Sequence, residues 1–324
     1  MTPLLLTLLV AGGERPTLAI VPPVSIDGAD TWLGLAVADN LANALLRYQR
    51  QDKKSGRSEY PLNVFSWRES TAAARAEGLD LRRPLSPESV NRLAKQLGSR
   101  YVFTGSYRVK PGKAPQVLLK WRLVDITRDR PPKEVRVTTN LATLSRRTDA
   151  LVAAVLKGVG ERPPKSKAAP AKYRTQALKA YAGGLEVLAQ QSLDPYAQVV
   201  LQPIEIKKAH VLFAEATRSA PDLLRAWVGL ALASAMLGEL DRAEKEILHA
   251  LAHADSFEPL NAVGLSYLYV RQNRPQDALK ALNDAVNKQP GFMGALGYLG
   301  SAHLRAGQPK KAIEVFRTYK VRVP

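Results

Sequence analysis

The sequence predicts a two-domain α+β protein, with an N-terminal α/β sandwich built on a mixed sheet and a C-terminal, all-α array of helical repeats. Three observations predict this fold class. The C-terminal third repeats itself every 34 to 35 residues, the first half alternates strand-like and helix-like apolar patterns, and a Pro- and Lys-rich stretch separates the two. With 324 residues, the chain is long enough for each domain to bury its own core.

The first half opens with an apolar run at residues 17–24 that two prolines end, a pattern typical of a buried strand. A helix is predicted next, because apolar residues recur at helical spacing from Leu33 to Tyr48. Asp30 or Thr31 is in position to cap the N-terminus of this helix.

A polar loop at residues 49–60 is followed by a second predicted strand at residues 62–67. Ser86-Pro87-Glu88 then supplies a cap, a first-turn proline and an early carboxylate, which together predict the start of a second helix. This helix is expected to end near Gly98.

The rest of the first half predicts three strands and one helix. Residues 100–108, 116–126 and 134–141 alternate apolar and polar side chains, which indicates antiparallel strands joined by turns. Residues 144–159 have the pattern of a helix. The whole order of strand, helix, strand, helix, three strands and helix predicts the α/β sandwich.

The C-terminal third carries the repeats. Each unit contains a turn residue, an alanine five positions later, and a large apolar residue four positions after that. These are Gly238, Ala243 and Ile247; Asn273, Ala278 and Leu282; and Gly307, Ala312 and Phe316. Pro275 and Pro309 fit the first turn of a helix, where a missing N–H costs little. Each unit is therefore predicted to be two amphipathic helices joined by a short turn.

Further positions recur in three successive units: Trp227, Leu230, Ala231, Gly238, Ala243 and Ala250; Leu265, Tyr269, Ala278, Ala285 and Pro290; and Leu299, Gly300, Gly307, Ala312, Phe316 and Pro324. A looser unit includes Tyr181, Gly184, Ala209, Phe213, Ala216 and Pro221, with extra residues near 191–203. The pattern resembles the tetratricopeptide repeat (TPR). The resemblance implies a TPR domain at residues 173–324, with one irregular and three regular repeats that bind a protein.

Three segments of the first half carry a second resemblance. They are Leu18-Ala19-Ile20-Val21-Pro22, residues 93–108, and Val124-Asp125-Ile126-Thr127. Together they are similar to the TolB N-terminal-like domain, whose relatives include periplasmic assembly proteins of the FlgO and CsgG type, often followed by TPR units. The resemblance implies that residues 14–160 form a non-catalytic binding module of a bacterial envelope assembly.

Residues 1–13 are rich in Leu and too short to span a bilayer, which needs about 20 apolar residues. They resemble the apolar core of a secretory signal peptide, although no Lys or Arg precedes them. We expect export and a periplasmic or envelope-associated protein. The alternatives are a first strand or helix and a cytoplasmic location.

The net charge of +18 is concentrated in the first half of the chain. Residues 1–172 carry 29 Lys and Arg against 15 Asp and Glu, whereas residues 173–324 carry 18 against 14. Such a surplus of positive charge favours binding to nucleic acid, an anionic membrane surface or an acidic protein. The alternative is that the charges only solvate the surface, since no basic run exceeds two residues. Residues 161–172, rich in Pro and Lys, are predicted to be a solvated linker.

Little in the sequence indicates catalysis. The chain has no cysteine, and Pro111-Gly112-Lys113-Ala114 lacks the length and the hydroxyl of a phosphate-binding loop. His249 and His253 lie four residues apart on one predicted helix but lack the nearby Glu of a catalytic zinc site, and His210 and His303 are isolated. We therefore predict no enzymatic activity, metal, cofactor or small-molecule substrate.

The TPR resemblance implies a partner-binding concave surface formed by the first helix of each repeat. Its positions here are Arg225, Val228, Leu232, Met236, Leu260, Val263, Tyr267, Arg271, Gly297, Ser301, Leu304 and Arg305. An apolar surface edged by arginines suits an acidic peptide segment. Packing between neighbouring repeats is the alternative role of each of these residues.

Strand alternation predicts a second, basic surface on the sheet. If the aromatic residues of these strands point into the core, Arg108, Lys120, Arg122, Arg136 and Thr138 share the opposite face. This face could contact a polyanion, or it could be only a solvated surface. Nucleic acid is disfavoured, because the aromatic side chains that would stack on bases are assigned to the buried side.

Two functions follow from these features. The first is an exported scaffold or adaptor that holds a partner protein in an envelope assembly, and the second is a cytoplasmic regulator whose basic domain binds a polyanion. The last repeat lacks the extra polar-faced helix that usually covers a repeat array. We expect another chain, self-association or the N-terminal domain to cover its outer face.

Overall fold

The computed structural model describes residues 15–28, 30–51, 58–113, 115–128, 131–140, 143–144, 147–163, 173–189, 202–254 and 259–322. The predicted signal peptide at residues 1–13, most of the predicted linker and most of the extra residues near 191–203 lie outside these ranges. Within the described ranges, no helix combines the length and the apolar character that crossing a membrane requires.

The first half contains a mixed sheet, as predicted, with six strands instead of the five predicted, because the apolar run at residues 17–24 is divided between β1 and β2. Its strands are β1 (Thr17–Ile20), β2 (Val24–Ser25), β5 (Asn63–Phe65), β6 (Tyr101–Lys110), β7 (Gln116–Asp125) and β8 (Lys133–Asn140); β3 (Arg50–Gln51) and β4 (Ser58–Glu59) form a separate pair. The strand order is β5-β1-β6-β7-β8, with β2 beside β6. The strand β1 runs parallel to both neighbours, whereas β6, β7 and β8 are antiparallel.

Four helices accompany this sheet in the described ranges: α1 (Trp32–Arg47), α2 (Trp67–Ala76), α3 (Pro87–Leu97) and α4 (Thr148–Val159). The helices α1 and α4 pack together, and α2 packs against α3. Leu18, Ala19 and Ile20 of β1 have no exposed surface, so both faces of the central strand are covered. The α/β sandwich is therefore confirmed.

Two local predictions in this half are wrong. The predicted strand at residues 62–67 ends at Phe65, and Trp67 already begins α2, which the apolar pattern did not predict. The side chain of Thr31 makes no capping hydrogen bond to α1. Asp30 instead accepts a hydrogen bond from the indole of Trp32 and has a positive φ of 49°.

The second half is an array of paired helices, which confirms the predicted all-α repeats. The pairs are α5 (Thr175–Ala189) with α6 (Pro203–Ser219), α7 (Leu224–Met236) with α8 (Leu240–Ala252), α9 (Pro259–Arg271) with α10 (Pro275–Lys288), and α11 (Met293–Arg305) with α12 (Pro309–Arg322). The predicted turn residues Gly238, Asn273 and Gly307 all have positive φ, at 87°, 57° and 70°. Each regular repeat therefore reverses direction at a left-handed residue.

Small residues let large ones pack between the helices of the array. The ring of Phe213 lies so close to Gly184 and Gly229 that a β-carbon at either glycine would lie within 2.7 Å of it. Phe316 approaches Gly300 in the same way. Glycine is required at these positions by contact rather than by backbone conformation.

The two halves are in direct contact. The amide of Val64 in β5 donates a 2.8 Å hydrogen bond to the carbonyl of Gly291, just before α11, and Val64 and Phe292 form a parallel bridge. The helix α1 packs on α5. The outer face of the last repeat is not covered by this contact, since Ile313 is 50% and Phe316 38% exposed. Among the described residues, the N-terminal half does not cover that face, which was one of the three expectations.

Candidate functional site

A cavity of about 80 Å³ lies where the repeats meet the N-terminal half. The first helix of every repeat contributes to its wall, and so does α2 of the sandwich. The lining residues are Tyr181, Leu185 and Leu188 of α5, Arg225, Val228, Gly229, Leu232 and Met236 of α7, Val263 and Tyr267 of α9, Tyr298 of α11, and Trp67 and Arg68 of α2. The helix α2 of the N-terminal half therefore covers part of the concave surface of the repeats.

A buried carboxylate fixes this junction. Asp39 of α1 is 1% exposed and accepts hydrogen bonds from three other helices. The indole of Trp67 donates at 2.9 Å, the hydroxyl of Tyr181 at 2.9 Å and the guanidinium of Arg225 at 2.7 Å. Asn43, one turn along α1, donates a longer bond of 3.3 Å. Asp39 therefore connects α1, α2, α5 and α7.

The local sequence explains why Trp67 reaches this carboxylate. Ser66 and Glu69 form a capping box: the Ser66 hydroxyl accepts from the amide of Arg68 at 3.2 Å, and Glu69 accepts from the amide of Ser66 at 2.8 Å. This box starts α2 at Trp67. The indole and the Arg68 side chain are thereby placed in the first turn, against α1 and the repeats.

Arg68 also faces the carboxylate, but in a different way. Its guanidinium stacks on the Trp67 ring, with 4.7 Å from the guanidinium carbon to the ring centroid. Its Nη1 lies 3.7 Å from Asp39 Oδ1, close enough for an ion pair and too far for a hydrogen bond. Two guanidinium groups, Arg68 and Arg225, therefore face one buried carboxylate.

Tyr181 and Tyr267 of the cavity remain neutral phenols. Burial raises the pKa of Tyr181, and the adjacent Asp39 raises it further, so the hydroxyl stays a hydrogen-bond donor to that carboxylate. Burial also raises the pKa of Tyr267, although Arg271 and Arg305 act in the opposite direction. Arg271 and Arg305 end the helices α9 and α11, whose residues Tyr267 and Tyr298 line the cavity.

The predicted partner-binding residues fall into two groups. Those that line the cavity are Arg225, Val228, Leu232, Met236, Val263 and Tyr267. Farther along the array, Arg271, Leu304 and Arg305 are exposed and Gly297 and Ser301 are partly buried, while the side chain of Leu260 lies outside the described part of the structure. Arg225 does not edge an open groove as expected, because it is 13% exposed and bound to Asp39 and Asn40.

The predicted basic face of the sheet is largely paired within the protein. The strand register places Arg108, Lys120, Arg122 and Arg136 on one face, as alternation predicts. Glu134 bonds both Lys120 at 2.8 Å and Arg136 at 2.9 Å. Arg122 donates to the carbonyl of Leu85 at 3.2 Å. These contacts reduce the positive charge that this face offers to a polyanion.

The four histidines are partly buried or pack against other side chains. Burial lowers the pKa of both His210 and His303. His249 packs on Trp227 with ring centroids 4.2 Å apart, and His253 lies against His249 at the same distance. Among the described residues, no three His, Asp or Glu side chains gather into a group that could hold a metal ion.

Sequence reasoning missed Asp39, Trp67 and Arg68 of the N-terminal half, and also the lining residues Tyr181, Leu185, Leu188, Gly229 and Tyr298 of the repeats. Two signals were present. Ser66 and Glu69 have the spacing of a capping box before a helix, and Asp39 is a charged residue on the apolar side of α1, between the buried Ala38 and Leu41.

Comparison with known proteins identifies the repeats. Residues 206–259 and 263–324 match the family model of the tetratricopeptide repeat. The C-terminal region therefore contains TPR units, a repeat type that generally binds protein partners. A crystal structure of MamA is similar, with 17% sequence identity and a TM-score of 0.31 over 46% of this chain and 88% of that one. No curated protein matches the sequence.

Proposed function

We propose that this chain is a non-enzymatic scaffold or adaptor that binds a partner protein on the concave surface of its repeats. The observation that carries the proposal is the cavity at the junction, whose wall is formed by the first helix of every repeat. TPR units stack so that consensus residues are buried between helices, which leaves this inner surface for a ligand.

The surface suits an acidic segment of a protein. Beyond the cavity, Arg271 at the end of α9 and Leu304 and Arg305 at the end of α11 are exposed. Arginine forms charge-assisted hydrogen bonds with carboxylates, and aliphatic side chains provide contact area for an extended or helical peptide. The cavity and the exposed residues Arg271, Leu304 and Arg305 together favour binding of a peptide on the repeats. Binding of a polyanion on the sheet is less favoured, because Glu134 already pairs with Lys120 and Arg136.

We further propose that the protein acts in a bacterial envelope assembly after export. The Leu-rich residues 1–13 and the similarity of the first half to the TolB N-terminal-like domain support this location. Fusing residues 1–30 to a reporter that is active only in the periplasm tests export. Absence of reporter activity would support the cytoplasmic alternative.

Site-specific photocrosslinking tests the binding surface. We expect a photoreactive phenylalanine derivative at Leu304, on α11, to form adducts with a partner in cells. The matched control is Leu248 on α8, because it is 50% exposed and Leu304 is 52% exposed. Equal adducts from both positions would contradict a concave binding site.

Charge reversal provides the second arm. Arg271→Glu combined with Arg305→Glu should reduce co-purification of the same partner, because both cations flank the proposed surface. Lys245→Glu combined with Lys280→Glu makes the same change of charge at exposed positions on the second helices α8 and α10. If both double variants retained the partner equally, the proposed surface would be wrong.

A further inference from the structure

Asp39 accepts side-chain hydrogen bonds from four groups, and Arg68 is not one of them. A carboxylate offers about four acceptor positions. The four side-chain donors here are Trp67, Tyr181, Arg225 and Asn43, at 2.7 to 3.3 Å. Three of them bond Oδ2, and Trp67 bonds Oδ1, the oxygen that Arg68 approaches only to 3.7 Å, beyond hydrogen-bond distance.

Within the part of the chain that the structure describes, Arg68 is a cation without a hydrogen-bond acceptor. Its side chain is 15% exposed, its Nη1 atom is buried, and among the described residues its guanidinium donates no hydrogen bond. A guanidinium presents five N–H donors, and leaving such donors unpaired away from water is costly. With one carboxylate for two guanidiniums, the wall of the cavity has an excess of one positive charge.

The size of the cavity indicates what enters beside this charge. Its volume of about 80 Å³ is about half that of an engineered 150 Å³ cavity that accepts benzene. Small-molecule sites are usually about 300 to 1,000 Å³. The apolar wall includes Leu232, Met236 and Val263. A single aliphatic side chain fits this volume and lining.

Resting on the proposed function, we infer that the cavity is the anchor pocket for one aliphatic side chain of a partner segment, and that an adjacent carboxylate of that segment binds Arg68. The N-terminal half thereby takes part in recognition, since α2 supplies the cation. The segment then continues toward Arg271 and Arg305, which favour further acidic residues.

Peptides of defined sequence test this pocket. The parent is acetyl-Gly-Ser-Gly-Glu-Leu-Glu-Gly-Ser-Gly-amide, and its relatives replace Leu with Ala, both Glu with Gln, or both. Binding to the full-length chain is measured by calorimetry at about 0.15 M salt. We expect the Leu-to-Ala change to weaken binding about tenfold, as removal of aliphatic groups from a fitted pocket does.

Arg68→Met separates the charge from packing, because Met keeps an apolar stem beside Trp67. This variant should weaken the Glu peptide about tenfold and the Gln peptide less than about twofold. Arg218→Met, at an exposed position on α6, should change neither. Val263→Phe fills the cavity and should abolish the preference for Leu over Ala while the preference for Glu over Gln remains.

The inference would be overturned if Arg68→Met weakened the Glu and Gln peptides equally, or if the Leu and Ala peptides bound equally. Absence of binding by every peptide would also overturn it. So would binding of octanoate, a free fatty acid used as a comparison ligand, as tightly as the parent peptide. A lower melting temperature of Arg68→Met without peptide would also overturn it, by making Arg68 a structural partner of Asp39. Adducts at Leu304 would still support the proposed function after any of these results.

Discussion

Two carboxylates of this protein each face two cations, and they do so in opposite surroundings. Asp39 lies at the junction of the two halves, 1% exposed, with Arg225 and Arg68 beside it. Glu134 lies on the solvent side of β8, with a side chain that is 37% exposed, between Lys120 and Arg136. The ratio of charges is the same, but only one cluster is removed from water.

The difference in burial between the two clusters determines which of them affects how the two halves pack together. Water solvates the Glu134 cluster in both the folded and the unfolded chain, so its pairing adds little on folding. The Asp39 cluster loses water on folding and depends on every hydrogen bond that replaces it. Asp39 therefore constrains how the repeats sit on the sandwich, whereas Glu134 chiefly limits the charge that the sheet presents.

Replacing Asp39 should have the largest effect. Asp39→Ala leaves Arg225, Tyr181 and Trp67 without their acceptor in a buried setting, and we expect a loss of about 3–5 kcal/mol in the free energy of unfolding. Urea denaturation of the full-length chain measures it. Glu134→Ala is the exposed counterpart and should change the unfolding midpoint far less, so equal shifts would refute the comparison.

The indole bond at the junction should have an intermediate effect. Trp67→Phe removes the N–H that donates to Asp39, and a hydrogen bond to a charged group is worth about 1.5–3 kcal/mol. Trp121→Phe is the matched control, because Trp121 is equally buried but its N–H has no partner among the described residues. Both variants lose packing, so the excess loss for Trp67, measured by urea denaturation, isolates the bond. No excess would contradict its role.

Most of the fold was predictable because its signals are local. The repeat turns follow from Gly238, Asn273 and Gly307, and the strands β6, β7 and β8 follow from alternation within each strand. The start of α2 also has a local sequence signal, the capping box of Ser66 and Glu69. The alternation of residues 62–67 gave a strand instead, because apolar residues in a short run fit both structures.

The junction was not predictable, because its partners are far apart in the chain. Asp39 meets Trp67 across 28 residues, Tyr181 across 142 and Arg225 across 186. A family pattern places Arg225 on the inner surface of the repeats. It carries no information about a second domain that packs against that surface and binds the same guanidinium.

Charge pairing at Glu134 should have the smallest effect and should depend on pH and salt. Hydrogen bonds from Lys120 and Arg136 lower the pKa of Glu134 below its usual value. The folded chain then binds a proton less readily than the unfolded chain. The contribution to stability is therefore present above the unfolded pKa and is lost as the pH falls through the folded pKa.

Salt distinguishes this exposed cluster from the buried one. At about 1 M salt, interactions between exposed charges are screened beyond about 3 Å. We expect a carboxyl NMR titration to show the pKa of Glu134 rising toward its usual value in that salt, with Glu134→Gln identifying the resonance. The loss of stability in Asp39→Ala should persist in the same salt, because little solvent reaches the carboxylate. If salt changed the Asp39 effect and left the pKa of Glu134 unaltered, burial would not be what separates the two clusters.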